Sequence, residues 1–202
     1  MFVGGIDTTS TALEWVTAEF IRSPSTTKRA QEEIRRVVGT KSHIEVEDIS
    51  QMDYLKCIHR ENMRLHPPLP LLVPRETSAC VNFEGYDILS KTRVFINVFA
   101  IQRDPKIWDR PEEFIPQRFK DNRVDFKGLD FELILFGGGR RGCPGISFGV
   151  AIAENVIANL LCWFDWELPS SNAGKDLDMT EVNAVTVFKK VPLELVAIPD
   201  SS

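Results

Sequence analysis

The chain has 202 residues, of which 43% are hydrophobic and 26% charged, and its net charge is −5. This length and composition suit one large globular domain or two small ones, and the acidic balance gives no reason to expect nucleic-acid binding, which needs a basic face. The four cysteines form no C-x-x-C pair, which excludes the common zinc frameworks and favours a reducing environment over a disulfide scaffold: Cys57, Cys80, Cys143 and Cys162.

The first segment contains two signals for the start of a helix. Thr11 and Glu14 have the spacing of a capping box, and the apolar residues that follow predict a helix over residues 11–22. Upstream, residues 4–9 read G-G-I-D-T-T, and two glycines followed by Asp7 and Thr8 predict a helix cap. One alternative stays open: a helix opened locally by its glycines, where an alcohol beside a carboxylate relays protons to a ligand.

Amphipathic spacing predicts helices in three further segments. Ser23-Pro24 begins one that runs over residues 24–38 and ends at Gly39, and another covers residues 54–65 until His66-Pro67-Pro68 stops it. Residues 48–50 read as a short turn between them. Residues 146–164 form the most apolar run, but Glu154 and two asparagines within it favour a buried core helix over a membrane span.

The remaining segments indicate a minor β component. Short apolar runs between Gly and Ser turns predict strands, whereas the proline-punctuated stretch 104–119 predicts coil with one helical turn. The tail from residue 163 reads as strands and a hairpin. We therefore expect a mainly α fold with a minor β component, whose first strands cover residues 71–75, 81–86 and 93–98.

Glu61 and Arg64 lie three residues apart on one face of the helix over 54–65. An exposed pair of this kind contributes only about 0.3–0.5 kcal/mol to stability and is the ordinary interpretation of an isolated E-x-x-R. The apolar residues on that side favour partial burial instead. A buried pair needs further partners, and Arg118 is the candidate.

The most specific signal is F-G-G-G-R-R-G-C-P-G at residues 136–145, which presents Cys143 at the start of a helix. Backbone N–H groups and nearby arginines stabilise a thiolate there, and an unpaired thiolate suits an axial ligand of haem iron. Three alternatives remain. The first is a dinucleotide fingerprint, which the proline after the cysteine opposes, and the second is a phosphatase nucleophile, which would need an arginine downstream that is absent here. The third is a structural cysteine.

Four motifs occur in one order along the chain: G-G-x-D-T-T, E-x-x-R followed by H-P-P, P-x-R-F, and F-x-x-G-x-R-x-C-x-G. In combination they resemble the cytochrome P-450 haem-thiolate monooxygenases. The segments Y-L-K, L-H-P-P, V-P-R-E and R-D-P and an aromatic cluster at residues 163–166 are similar to the plant microsomal branch. The resemblance runs over the whole chain.

The resemblance implies a role for each matched residue. Cys143 is implied as the iron ligand, Asp7 and Thr8 as the acid and alcohol that deliver protons to bound oxygen, and haem b (iron protoporphyrin IX) as the cofactor. The other implied roles are haem contact and loop geometry (Phe136, Gly137, Gly139, Gly145), propionate pairing (Arg75, Arg141), a structural triad (Glu61, Arg64, Arg118) and an apolar substrate pocket (Val3, Leu69, Leu71, Leu72, Val185).

The same resemblance implies partners and a location. The partners are O2, a hydrophobic small-molecule substrate and an NADPH-cytochrome P-450 reductase, with no nucleic acid. A full-length relative is expected on the cytosolic face of the endoplasmic reticulum membrane, held by an anchor that this chain lacks.

Family members are much longer, so residues 1–202 are expected to be the carboxyl-terminal segment of the domain, from the oxygen-binding helix through the haem-binding loop to the last strands. Met1 is then an internal methionine, and a truncated, inactive fragment is the alternative function. Three residues depart from the family pattern without removing a chemical group: Leu89, Gln117 and Leu135.

Overall fold

The computed structural model describes residues 2–122, 124–127, 129–169, 177–182 and 184–200. Six α-helices lie in these ranges: α1 (Phe2–Arg22), α2 (Pro24–Val38), α3 (Val46–Ser50), α4 (Asp53–Leu65), α5 (Val98–Ile101) and α6 (Ile146–Trp163). Single 3-10 turns occur at Pro116–Phe119, Phe131–Leu133 and Gly139–Arg141. The predictions for α2, α4 and α6 are confirmed to within a residue, because each has a clear apolar face and a proline or glycine at one end.

The strands are short and pair only in twos, so the mainly α prediction is confirmed. They are β1 (Arg75–Glu76), β2 (Val81–Phe83), β3 (Tyr86–Ile88), β4 (Arg93–Val94), β5 (Phe164–Glu167), β6 (Glu181–Val182), β7 (Phe188–Lys189) and β8 (Val196–Pro199). The antiparallel pairs are β1 with β4, β2 with β3, β5 with β8 and β6 with β7. Arg75 lies opposite Val94, and Phe164 lies opposite Pro199, which ties the end of α6 to the end of the described chain.

The core lies between α1, α2, α4 and α6, which pack against one another. Val16, Ile34, Leu55, Ile58 and Leu161 are fully buried there. Burying apolar side chains of this size stabilises the fold by about 1.5–3 kcal/mol each. This four-helix core is the scaffold that carries the remaining loops.

The prediction that α6 is a buried core helix is only half right. One stripe of α6, which includes Ile157 and Leu161, is buried, whereas Phe148 is 73% exposed and Ile152 37%. Among the described residues α6 is also the one helix long and apolar enough to cross a membrane by length and composition. Its packing on α1, α2, α3 and α4 accounts for part of that apolar surface.

The predicted start of the first helix is wrong. Helix α1 begins at Phe2 and runs without a break through Gly4 and Gly5. Thr11 therefore does not cap a helix, and its buried hydroxyl oxygen has no hydrogen-bond partner among the described residues. Two glycines cost a helix roughly 1 kcal/mol each relative to alanine, and the packing of the rest of α1 outweighs this cost.

Three strand predictions are too long, and one predicted turn is a helix. Residues 81–86 form a hairpin rather than one strand, because Glu84 and Gly85 adopt positive φ values and turn the chain between β2 and β3. Only Arg75 of residues 71–75 is extended in a strand, because Leu72 adopts a positive φ of 52° and turns the chain. Residues 93–98 leave the sheet after Val94, because Asn97 Oδ1 accepts the Ala100 N–H and begins α5. The predicted turn at residues 48–50 belongs to α3, where Glu45 and Asp48 form a capping box.

Candidate functional site at the cysteine loop

The cysteine loop, residues 136–145, holds Cys143 at the surface just before α6 begins. The backbone N–H of Cys143 donates to the carbonyl oxygen of Phe136 (2.9 Å), and the N–H of Gly142 donates to the carbonyl of Gly139 (3.1 Å). Gly137 and Gly139 have φ values of +69° and +65°, which residues with a β-carbon rarely adopt. The glycines therefore allow a tight loop that leaves the sulfur exposed.

Arg75 and Arg141, the two predicted propionate partners, meet at this loop. Nη2 of Arg75 donates to the backbone carbonyl of Arg141 over 2.9 Å. A β-carbon placed on Gly137 would lie 3.8 Å from the same Nη2 and 3.9 Å from Cδ1 of Leu72. The start of β1 thus lies directly against the cysteine loop, and its guanidinium is half-buried beside the loop backbone.

Phe136 connects the loop to the core. It is partly buried against the core, and its ring meets the edge of Phe126 at a centroid distance of 5.5 Å and an angle of 70°. Edge-to-face pairs of this geometry contribute about 0.5–1.5 kcal/mol beyond their area burial. The residue whose carbonyl holds the Cys143 amide is therefore itself fixed by an aromatic neighbour.

The donor set at the loop fits haem. In the part of the chain that the structure describes, no group of three or more His, Cys, Asp or Glu side chains could hold a metal ion alone. Porphyrin iron suits a lone cysteine of this kind, because the macrocycle brings further ligands to the iron. Cys57 and Cys162 are buried, and burial raises the pKa of both thiols, which disfavours their thiolates.

Glu61, Arg64 and Arg118 come together as predicted. Nε and Nη2 of Arg64 donate to the two carboxylate oxygens of Glu61, each over 2.9 Å, and Nε of Arg118 donates to Oε1 of Glu61 over 3.0 Å. Both Glu61 and Arg64 are 0% exposed, which excludes the interpretation as a surface ion pair. We call these three residues the arginine node.

Backbone carbonyls complete the arginine node. The remaining N–H groups of Arg64 donate to the carbonyls of Gln102 (2.8 Å), Pro111 (2.8 Å) and Glu113 (3.2 Å), so all five guanidinium donors are used. The backbone N–H of Ile115 also donates to Glu61 (2.8 Å). The node therefore fixes the coil over residues 102–115 to α4. The sequence could not indicate these acceptors, because every residue has a backbone carbonyl.

Asp7 and Thr8 lie inside α1 rather than at its start, so the prediction of a helix cap is wrong. Both are partly buried. The Thr8 hydroxyl donates to the carbonyl of Gly4 over 2.8 Å, and a β-carbon on Gly4 or Gly5 would meet nothing within 4 Å. The hydroxyl oxygen keeps its lone pairs for another donor.

Four of the five predicted pocket residues have described side chains, whereas the side chain of Val3 lies outside the described residues. Leu71 and Val185 are 46% and 79% exposed. The N–H of Val187 donates to the carbonyl of Pro68 over 3.1 Å, so the segment of Val185 runs beside that of Leu69. Leu72 packs in the core, 8% exposed, and its place in a pocket stays a prediction.

Sequence reasoning missed a buried cluster between α1 and the end of α4. Nε2 of His66 lies 2.9 Å from Oε1 of Glu19, and the His66 ring stacks on Trp15 at 4.4 Å. The indole N–H of Trp15 donates to the carbonyl of Val187 over 3.0 Å. The available signal was the four-residue spacing of Trp15 and Glu19, which places both on one face of α1.

Comparison with known proteins gives consistent matches along the chain. A family model described as cytochrome P450 matches residues 1–196. The phenylacetaldehyde oxime monooxygenase CYP71AN24 of Prunus mume is 55% identical over 203 residues, which cover 100% of this chain and 39% of that protein. Cytochrome P450 71A1 of Persea americana is 57% identical over 197 residues, which cover 98% of this chain and 39% of that protein.

Solved structures agree with the sequence relatives. A zebra fish cytochrome P450 with abiraterone has a TM-score of 0.87 at 28% identity, covering 100% of this chain and 46% of that one. The chain thus spans about two fifths of the length of these plant relatives and 46% of the solved structure. The resemblance inferred from the four motifs is confirmed, and the chain belongs to the cytochrome P450 family.

Proposed function

We propose that this chain is the carboxyl-terminal segment of a haem-thiolate monooxygenase, with Cys143 as the axial ligand of the iron. The observation that carries the proposal is the exposed sulfur of Cys143, held before α6 by the Cys143 N–H bond to Phe136. Membership of the family and relatives named as plant monooxygenases support it.

The residues around the Cys143 sulfur are proposed to contact different parts of haem b. The Arg75 guanidinium lies against the backbone of Arg141, and each of the two arginines is proposed to pair with a propionate through a charge-assisted hydrogen bond. Phe136, whose carbonyl accepts the Cys143 N–H, is proposed to contact the haem through its ring. Gly137, Gly139 and Gly145 keep side-chain atoms out of the loop, and a β-carbon on Gly145 would already lie 3.8 Å from the sulfur.

Asp7 and Thr8 are proposed to move protons. When bound, haem supplies the activation of O2 that puts one oxygen atom into a substrate C–H or C=C bond and releases the other as water. The O–H of Thr8 donates to the carbonyl of Gly4, so the hydroxyl oxygen can accept a hydrogen bond from a water and hold it in place. The Asp7 carboxylate, partly exposed one residue earlier, can exchange protons with solvent.

The arginine node is proposed to support the site without taking part in the chemistry. Glu61 and Arg64 on α4 are fully buried, Arg118 is nearly so, and groups of the chain use all the N–H donors of the Arg64 guanidinium. A buried, fully hydrogen-bonded ion pair fixes geometry more than it adds stability. The node would therefore keep α4 and the coil over residues 102–115 in register beneath the haem.

The substrate is proposed to be a hydrophobic small molecule. Leu69, Leu71 and Val185 are apolar, lie in adjoining segments and are at least partly exposed, and Val3 and Leu72 complete the predicted set. Electrons are proposed to come from NADPH through NADPH-cytochrome P450 reductase, with O2 as cosubstrate. The full-length protein is proposed to sit on the cytosolic face of the endoplasmic reticulum membrane.

A second candidate is an inactive fragment. It is favoured by the 39% coverage of the relatives and by large apolar side chains left at the surface, such as Phe131 (71% exposed) and Phe148 (73%). Surfaces of this kind normally mark an interface or an aggregation liability. The two candidates differ in whether the chain binds haem through sulfur.

The test is the reduced, carbon-monoxide-bound difference spectrum of the chain expressed with haem. The proposal expects a strongly red-shifted Soret band, lost completely in Cys143→Ala and retained in Cys80→Ala, the matched variant of the other exposed cysteine. A band that survives Cys143→Ala would overturn the assignment of the ligand. No band in the unaltered chain would favour the inactive fragment.

A further inference from the structure

A buried histidine in the middle of α4 lies behind the cysteine loop. His59 is 2% exposed, and its Nδ1 is 3.4 Å from Oε1 of Glu154 on α6. The side chain of Glu154 is 14% exposed. Because α6 begins directly after the cysteine loop, this contact fixes the segment that follows Cys143.

The same imidazole also reaches the segment that precedes Cys143. Its ring lies 6.1 Å from the ring of Phe126, which in turn packs edge-on against Phe136 at 5.5 Å. The carbonyl of Phe136 accepts the N–H of Cys143. One side chain on α4 is thus linked to both flanks of the loop, through a hydrogen bond on one side and two aromatic contacts on the other.

We propose that His59 and Glu154 are positioning residues that hold the two flanks of the cysteine loop at a fixed separation, so that the Cys143 sulfur keeps one orientation. The importance of that orientation for iron binding rests on the proposed function, whereas the contacts themselves need no cofactor. Removing one partner leaves a buried polar atom unpaired, and the loop flank loses its tie to α4. Neither residue touches the reacting atoms.

The reactivity of the Cys143 thiol in the haem-free chain tests the proposal. Cys57 and Cys162 are buried, so in a Cys80→Ser background Cys143 is the exposed cysteine that iodoacetamide alkylates. We expect His59→Leu and Glu154→Leu each to raise the alkylation rate about fivefold, the effect of losing one net hydrogen bond. The double variant should match His59→Leu, because that change already removes both the Glu154 contact and the Phe126 contact.

Conservative variants and a second buried histidine separate positioning from general stability. His59→Asn keeps a donor near Nδ1 and Glu154→Gln keeps an acceptor, so both should restore the rate to within about twofold of the unaltered chain. His66→Leu also breaks a buried His–Glu contact, but one directed at α1. It should lower stability and leave the alkylation rate unchanged.

Three results would overturn the inference: an unchanged rate in Glu154→Leu, an equal rise in His66→Leu, or additive rises in the double variant. Glu154→Leu removes the more exposed partner, so it keeps the test valid if His59→Leu fails to fold. Because alkylation needs no haem, the outcome is independent of the carbon monoxide spectrum. If the chain shows no red-shifted band but the His59 and Glu154 variants change the alkylation rate as expected, the proposed function is lost and the positioning role of His59 and Glu154 is kept.

Discussion

The arginine node and the cysteine loop are built in opposite ways. In the node, Glu61 and Arg64 are wholly buried and every guanidinium donor of Arg64 has a partner. In the loop, Cys143 is exposed, and backbone hydrogen bonds together with one contact from Arg75 hold its shape. The charged groups that fix geometry are buried, whereas the sulfur proposed as the iron ligand is left exposed.

This difference indicates that stability and chemistry depend on separate residues. Breaking a buried ion pair leaves one charge without solvent or partner, so the node should be very sensitive to substitution. An exposed sulfur contributes little to packing, so the loop cysteine should be tolerant of change except in its chemistry. Substitutions in the two regions should therefore affect different measurements.

The largest effect is expected for Arg64→Ala. The change leaves the Glu61 carboxylate buried beside Arg118 alone and frees three backbone carbonyls, so the free energy of unfolding should fall by about 3–5 kcal/mol. Urea unfolding followed by circular dichroism measures it. Arg60→Ala, on the same helix but only partly buried, is the matched control and should stay within about 0.5 kcal/mol. Equal losses in both would mean that the node has no special role.

A smaller effect, with a change of sign, is expected at two glycines around the loop. Gly137→Ala forces a β-carbon into a backbone with φ of +69° and should lower the free energy of unfolding by about 1–2 kcal/mol. Gly149→Ala, inside α6 with nothing within 4 Å of its new β-carbon, should raise it by up to about 1 kcal/mol. Thermal unfolding distinguishes them. An unchanged or raised free energy of unfolding in Gly137→Ala would show that the loop does not need its left-handed glycine.

A third prediction concerns the response to acid of the ion pair between the exposed Lys41 and the buried Asp48. The Lys41 ammonium and the Glu45 backbone N–H donate to Asp48 and lower the pKa of its carboxyl. A lowered pKa gives stability above the unfolded value of about 4, and this stability is lost as the pH falls through the folded value. Asp48→Asn should therefore flatten the decline of the melting temperature below about pH 4. An unchanged acid slope in this variant would contradict the assignment.

The smallest change in stability is expected at Cys143, the residue proposed to bind the iron. Cys143→Ala should change the free energy of unfolding by less than about 0.5 kcal/mol, because the side chain is exposed. Denaturation of the haem-free variant in urea measures this directly. A loss of several kcal/mol would mean that the sulfur is part of the packing and that the two regions are not separate.

Periodicity was sufficient for the helices of the core but not for their ends. Helix α2 begins at Pro24 and α4 ends at Leu65, as the prolines predicted. Helix α1 begins well before Thr11, because burial of its later residues outweighs the poor propensity of Gly4 and Gly5. Propensity describes a segment alone, whereas the packing of the four helices decides where a segment continues.

The parts of the site that are made of side chains could be predicted from the sequence, whereas the contacts made by backbone groups could not. Cys143 and the pairing of Glu61 with Arg64 follow from motif spacing. The carbonyls that bind Arg64 have no residue signature, and the meeting of His59 with Glu154 depends on the packing of α4 on α6, which are distant in sequence. Contacts of this kind follow from the tertiary fold and not from any local pattern.

The backbone hydrogen bond from Cys143 to Phe136 has a consequence for hydrogen exchange. The sulfur faces solvent, but the amide proton of the same residue is held by a carbonyl 2.9 Å away. Exchange of that amide with deuterium then requires the loop to open locally. The exchange rate of the Cys143 amide therefore measures how often the loop backbone opens. This measurement does not depend on the exposure of the sulfur.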